Sequence, residues 1–486
     1  MKKRIFVALL CLVLLCSFVA CDMEFGGLVG ELLSDADLPE GGILDSLIGV
    51  VPPNPAIDPE ETYTMGPGEQ LYGFPDSLNL SPDVIMFEAS DGIGFHNETG
   101  AEVIDQAFVA MEDQFTGLYG YEIYHKQTLR AAEIIELAAN EAQAGSGMVM
   151  LCYLPLSSAG EVAMSGAFHN QNSLAGFEMN NGCWFERMNK DLQFDGVQYS
   201  FAGYLTPYAQ FDANCLVFNE DLMNEIGYHD IYDIINSDAW ENTKYLNLCT
   251  EVASDLNGDG SINQHDRVGT VYERYESEAF VLKNSGIEIF RDSTYGENTV
   301  SFCEMLYSSW AHVERVSCEA DNAQEVFLSG HALFYATTLS RVAGLDGKDA
   351  LYTYAEFPVC VAPVPNMIGH HVPGIANCDR GSFLSVSRSA VGDVGMALNV
   401  LSVLAANHMQ PAIEELIYKV NSNQNSANAC FTVMEKARCC LDLTLLQAGG
   451  HEVKPLREGS AYYLQGYKKE FVTYLEWVYQ SVRENN

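Results

Sequence analysis

The alternation of short apolar runs with longer amphipathic stretches between residues 84 and 152 constrains this chain most. Val84-Ile85-Met86-Phe87 suits a buried strand, and polar Glu88-Ala89-Ser90-Asp91-Gly92 follows it as a loop. Val103, Ile104, Ala107, Phe108, Met111 and Phe115 then recur at helical spacing, and Leu129, Ala132, Ile135 and Ala139 repeat the pattern over 128–142. Met148 to Cys152 is a second apolar strand, opening into Tyr153-Leu154-Pro155-Leu156-Ser157. Strand, helix, strand in that order predicts an α/β protein with a parallel-rich sheet. Ligands of such sheets collect at the C-terminal ends of the strands, which directs attention to the loops beginning at Glu88 and Tyr153.

At 486 residues the chain has room for two or three domains. Hydrophobic residues make up 48% and charged ones only 19%, a balance that supports packed cores along most of the length. The charge itself is lopsided: 25 Lys plus Arg stand against 66 Asp plus Glu, a net of -41. Such a surface repels phosphate backbones and anionic headgroups, which argues against nucleic-acid binding and polybasic membrane docking.

The first residues read as an export signal. Basic Lys2-Lys3-Arg4 precedes an apolar run from Ile5 to Ala20, too short to span a bilayer and suited to a signal peptide over 1–20. Phe18-Val19-Ala20-Cys21 resembles a bacterial lipobox, which implies lipidation of Cys21 and an extracytoplasmic, membrane-anchored protein. Residues 21–62 are acidic and rich in Gly and Pro, as expected of a linker that holds a folded body off the membrane. Of 14 cysteines, those from Cys152 onward show neither C-x2-C pairs nor a Cys/His metal pattern, and contexts such as those of Cys215, Cys249 and Cys303 suit buried small hydrophobes. Adjacent Cys439-Cys440 is read the same way.

The middle of the chain carries a resemblance. Val217-Phe218-Asn219-Glu220-Asp221-Leu222, then Ile226-Gly227, then Trp240-Glu241-Asn242, is similar to the extracellular solute-binding proteins of bacterial ABC importers, of the sugar-binding type. Phe327 to Phe334, Val361-Ala362-Pro363-Val364-Pro365 and Gly381 to Ser387 fall in the same family's order. The resemblance implies a two-lobe, type II periplasmic-binding-protein-like fold with an interlobe cleft. Lobe 1 would comprise 81–212 plus 365–420, and lobe 2 213–364 plus 421–486. It implies a monomeric, non-catalytic lipoprotein that captures a small solute, an oligosaccharide, for an ABC permease. The alternative is a surface glycan-binding protein or glycoside hydrolase uncoupled from transport.

One stretch within that resemblance carries chemistry of its own and is similar to single loops of several solute-binding proteins. Asp255-Leu256-Asn257-Gly258-Asp259-Gly260-Ser261-Ile262-Asn263-Gln264-His265-Asp266 fits a calcium loop. Asp255, Asn257, Asp259 and Asn263 supply side-chain oxygens, Ser261 its carbonyl, Gly260 the sharp turn and Asp266 the closing carboxylate. A structural Ca2+ is expected. Asp266 stands where an EF-hand has Glu, which resembles dockerin loops; a dockerin needs two loops, and only one is present. No Walker loop, H-E-x-x-H or G-x-S-x-G elbow occurs, and His370-His371 reads as a surface pair.

For the solute, the resemblance implies a cleft lined by aromatic faces and hydrogen-bonding carboxylates. By position, Glu88, Asp91, Tyr153, Ser157, Asp212 and Tyr335 are the expected contacts, with Trp184 and Trp310 as stacking platforms and Trp240 assigned to helix packing.

Overall fold

The computed structural model describes residues 74–80, 83–92, 102–274, 277–285, 316–346, 349–366, 375–378, 380–441, 444, 473–474 and 476–485. The signal peptide, Cys21, the linker, Cys303, Trp310 and His370-His371 lie outside these. No helix among the described residues is long and apolar enough to cross a membrane.

Two mixed sheets organise the fold. In the first lobe, β1 (Asp83–Glu88) is flanked in parallel by β2 (Glu122–Lys126) and β3 (Val149–Pro155). Numbering along the chain, the strand that closes the sheet is β12 (Ser382–Val386), antiparallel to β3. Every residue of β3 is buried, as expected of an interior strand that reads as a continuous apolar run. β2, Glu-Ile-Tyr-His-Lys, alternates between exposed and half-buried at the sheet's edge. Its polar composition hides it from a search for apolar runs.

Helix α1 (Glu102–Tyr119) buries Ile104, Phe108, Met111 and Phe115, one stripe at 3.6-residue spacing. The 27-residue α12 (Val394–Val420) packs along it and is buried on more than one side, with Pro411 inside the helix. Helix α2 (Ala131–Ala144) begins three residues later than the apolar spacing predicts. The Asp91 carboxylate accepts the Ala131 N–H and the Glu133 carboxylate that of Arg130, so polar groups fix the helix start there.

The chain enters the second lobe through β6 (Asn214–Asn219). Asn219 caps the following helix, Glu220–Glu225, by accepting the N–H groups of Asp221 and Leu222, which explains the Phe-Asn-Glu-Asp-Leu string. The sheet runs β10 (Val359–Ala362), β6, β9 (Ala332–Thr338), β7 (Val268–Glu273), β8 (Cys318–Ala320). Trp240 is buried and donates its indole N–H to the Pro363 carbonyl at 2.7 Å, so its body packs while its polar edge stays paired.

The end of the chain differs from the expectation that 421–486 stays with the second lobe. Helix α13 (Gln424–Glu435) does pack on β10, where Ser426 Oγ accepts the Val361 N–H. Beyond it, Arg438 forks onto the buried Asp191 carboxylate of the first lobe at 2.5 and 2.6 Å. Helical residues 476–485 follow it to that lobe, with Tyr479 edge-on to Phe194 and Arg483 paired to Asp195. A buried carboxylate needs a charged partner, and Arg438 supplies it.

Of the ten described cysteines from Cys152 to Cys440, nine are buried. Burial pushes the Cys183 thiol up to about 11 and that of Cys249 to about 12, so these two stay protonated.

Candidate functional site

A cavity of about 1000 Å³ opens at the ends of β7 and β9, where the chain passes between lobes. β7 and β9 are parallel, and their C-terminal residues Glu273 and Thr338 reach it together with Asn214 at the start of β6. Ligands of open α/β sheets bind outside the carboxyl ends of the strands. Its other walls are Asp321, Asn322, Gln324 and Glu325 after β8, Arg341 after β9, and Asp212 and Arg380 of the two crossings.

Asp212 binds the crossings to each other. One carboxylate oxygen accepts the backbone N–H groups of Arg380 and Gly381, and the Arg380 side chain lies 3.6 Å from the other. Gly381 has no room for a side chain: a Cβ would stand 2.7 Å from the Ala209 Cα and 3.0 Å from the Tyr208 carbonyl. Arg341 is buried and fully engaged, by Gln324, Asp346 and the Asp349 carbonyl. Tyr335 donates to Glu273 at 2.9 Å, and burial followed by the Glu273 charge raises its hydroxyl pKa.

The sequence-derived residues divide. Asp212 and Tyr335 line this cavity; Glu88, Asp91, Tyr153, Ser157 and Trp184 do not. Glu88 is buried and held by His125 at 3.2 Å and Gln127 at 2.9 Å. The other His125 nitrogen meets Glu112 at 2.7 Å; burial opposes the charge, but hydrogen bonds to Glu112 and Glu88 outweigh it and raise the imidazole to about 9. Asp91 is occupied with the start of α2.

Tyr153 is fully buried against Met86, and the Trp184 indole is enclosed edge-on by Phe177 and Phe201, so both are core rather than cleft surface. Ser157 is exposed beyond β3. Glu273, Arg274, Asp321, Arg341 and Arg380 were missed by sequence reasoning. The signal for two of them was present: β7 is an apolar strand ending in Tyr272-Glu273 and followed by Arg274, the pattern used for Glu88 in the first lobe.

The Asp255–Asp266 loop lies between α8 (Asn242–Val252) and β7. Asp255, Asp259 and Asp266 bring carboxylate oxygens within 4.8 Å of one another. Asp255 accepts the N–H groups of Gly258 and Gly260, and these bonds, Gly260 foremost, hold its carboxyl below the ordinary value. Asp266 is fully buried and accepts from Leu256 and Asn263. Gly260 has φ +83°, which a residue with a Cβ adopts only with strain. Asn257 and Asn263 turn their side-chain oxygens onto the N–H groups of Asp259 and His265, while Ser261 donates its N–H to Asp259. An all-oxygen donor set on a loop wound this tightly fits a hard cation such as Ca2+.

No protein-family model matches the chain, and no curated protein matches it. Among solved structures, it is similar to a cyclo/maltodextrin-binding protein complexed with maltotetraose (14% identity, TM-score 0.50, 84% of this chain and 97% of that one). It is also similar to the sugar-binding protein MalE of Xanthomonas citri (14%, TM-score 0.52, 82% and 99%). A third is a sugar transporter from Rhizobium etli in an open conformation (10%, TM-score 0.52, 83% and 99%). The fold is that of the two-lobe, MalE-like periplasmic binding proteins. These neighbours are binding proteins rather than enzymes.

Proposed function

We propose that this chain is an extracytoplasmic receptor that captures an oligosaccharide-sized solute between its lobes and delivers it to an ABC permease, with no catalysis of its own. The observation that carries the reading is the polar cavity of about 1000 Å³ placed where the crossings meet the strand ends of a MalE-like fold. Its volume sits at the upper end of the ~300–1,000 Å³ range of small-ligand sites. Lobes joined by crossings close by hinge motion and bury a ligand at the joint. Lipidation at Cys21 would hold the receptor at the membrane. The loop Asp255–Asp266 would bind one Ca2+ through Asp255, Asn257, Asp259, Ser261, Asn263 and Asp266, fixing the entry to β7 without taking part in solute chemistry.

A thermal-shift panel of oligosaccharides, peptides and polyamines on the mature protein tests the proposal, since a ligand that binds only the native state raises Tm by mass action. A rise confined to oligosaccharides supports it. A flat response to every oligosaccharide, or turnover of one of them, overturns it.

A further inference from the structure

We infer that the solute held in the interlobe cavity is an acidic saccharide, one carrying a carboxylate that Arg274 and Arg380 receive. The inference rests on the solute-receptor reading and narrows it to a substrate class.

Positive charge is scarce in this protein, 25 Lys and Arg in 486 residues, yet Arg274, Lys283, Arg341 and Arg380 all line this one cavity. Acids line it too, but each has a donor already. Asp212 accepts two backbone N–H groups, Glu273 the Tyr335 hydroxyl, Glu325 the Asn322 amide, Asp346 the Arg341 guanidinium, and Asp321 faces Arg274.

The two exposed guanidiniums are not spent in this way. Arg274 reaches Asp321 through Nε, Arg380 only approaches Asp212 through Nε at 3.6 Å, and both side chains are about half exposed or more, at 49% and 65%. Among the described residues no hydrogen bond occupies the terminal nitrogens of either one. Those nitrogens form the planar fork that matches a carboxylate.

Among the described residues, the cavity wall also lacks what a neutral sugar ring uses most. Tyr272, Phe280 and Tyr335 belong to the lining, but all three are buried and offer no open face for stacking. Polar and charged groups remain. Asn322, Gln324, Thr337 and Thr338 supply hydroxyl partners, and the guanidiniums supply the charge that separates an acid from its neutral counterpart.

The test compares oligosaccharides cut from pectate, alginate and a glucuronan with the same oligosaccharides after reduction of the carboxyl to a primary alcohol, beside a neutral maltodextrin and cello-oligosaccharide panel. Affinities for the full mature protein are measured by calorimetry at fixed ionic strength. At least one uronate series is expected to bind tenfold or more tightly than its reduced counterpart. In R274Q/R380Q that ratio is expected to fall towards one, while the free protein still melts cooperatively, at a Tm lowered only by loss of the pairs to Asp321 and Asp212. In R274K/R380K it is expected to recover in part. Equal affinity for acid and reduced forms, or binding to neutral oligosaccharides alone, overturns the acidic-saccharide inference and leaves the receptor reading standing. Absence of binding across every saccharide overturns both.

Discussion

Asp212 and Gly381, 169 residues apart in sequence, meet at 3.0 Å, and their hydrogen bond joins the two crossings between lobes. The carboxylate also takes the neighbouring Arg380 N–H, so one buried side chain satisfies two backbone donors where the chain changes lobes. Charged hydrogen bonds of this kind contribute about 1.5–3 kcal/mol each. Asp212→Ala is expected to lower stability by roughly 2–4 kcal/mol. Asp212→Asn, which keeps one acceptor, is expected to lose less. Denaturant melts of the three proteins decide the order.

Gly381→Ala tests the same joint from the other side. The added methyl meets backbone atoms, which cannot swing away, so the crossings must separate. A loss of about 1–3 kcal/mol is expected, as for overpacked cores. If the melt midpoint is unchanged, the crossings are looser than their distances indicate.

His125 makes the first lobe pH-dependent. Its folded pKa of about 9 lies above the ordinary 6.5, so the bonds to Glu112 and Glu88 stabilise fully below pH 6.5 and are lost as pH rises through 9. At ~1.36 kcal/mol per pKa unit, the contribution is roughly 2–4 kcal/mol. Stability measured from pH 6 to 10 is expected to fall, and His125→Asn is expected to start lower and flatten the curve. A wild-type curve that is level across that window rules out the bridged imidazolium.

Removing calcium provides a fourth check. A cation present at 100 times its Kd adds about 2.7 kcal/mol to a fold that alone binds it. Chelation is expected to lower Tm, and Asp259→Ala is expected to start near the chelated value and ignore further chelator. Equal melting with and without chelator would remove calcium from the loop.

The two halves of the molecule were unequally legible. Buried strands such as Val149–Pro155 are written as apolar runs, and the cap at Asn219 as a local string, so both are found by reading neighbours. The Asp255–Asp266 loop is also local, twelve consecutive residues whose oxygens fold onto their own backbone. The cavity is different in kind. Asp212 and Arg380 lie 168 positions apart, and Arg274 and Arg341 become neighbours of both only because β7 and β9 pair in parallel. Aromatics misled the reading for a related reason: Trp184 and Tyr153 are as consistent with a core as with a sugar platform until their surroundings are known.

The buried thiols bear on durability. Nine of the ten described cysteines are sealed in the interior, where oxidants have no access while the fold is closed. Each opening exposes sulfhydryls that can pair wrongly before the chain recloses, which turns a reversible excursion into an irreversible one. In an oxidising medium the working life of this protein is therefore governed by its rate of unfolding, and variants equal in equilibrium stability will age at different speeds.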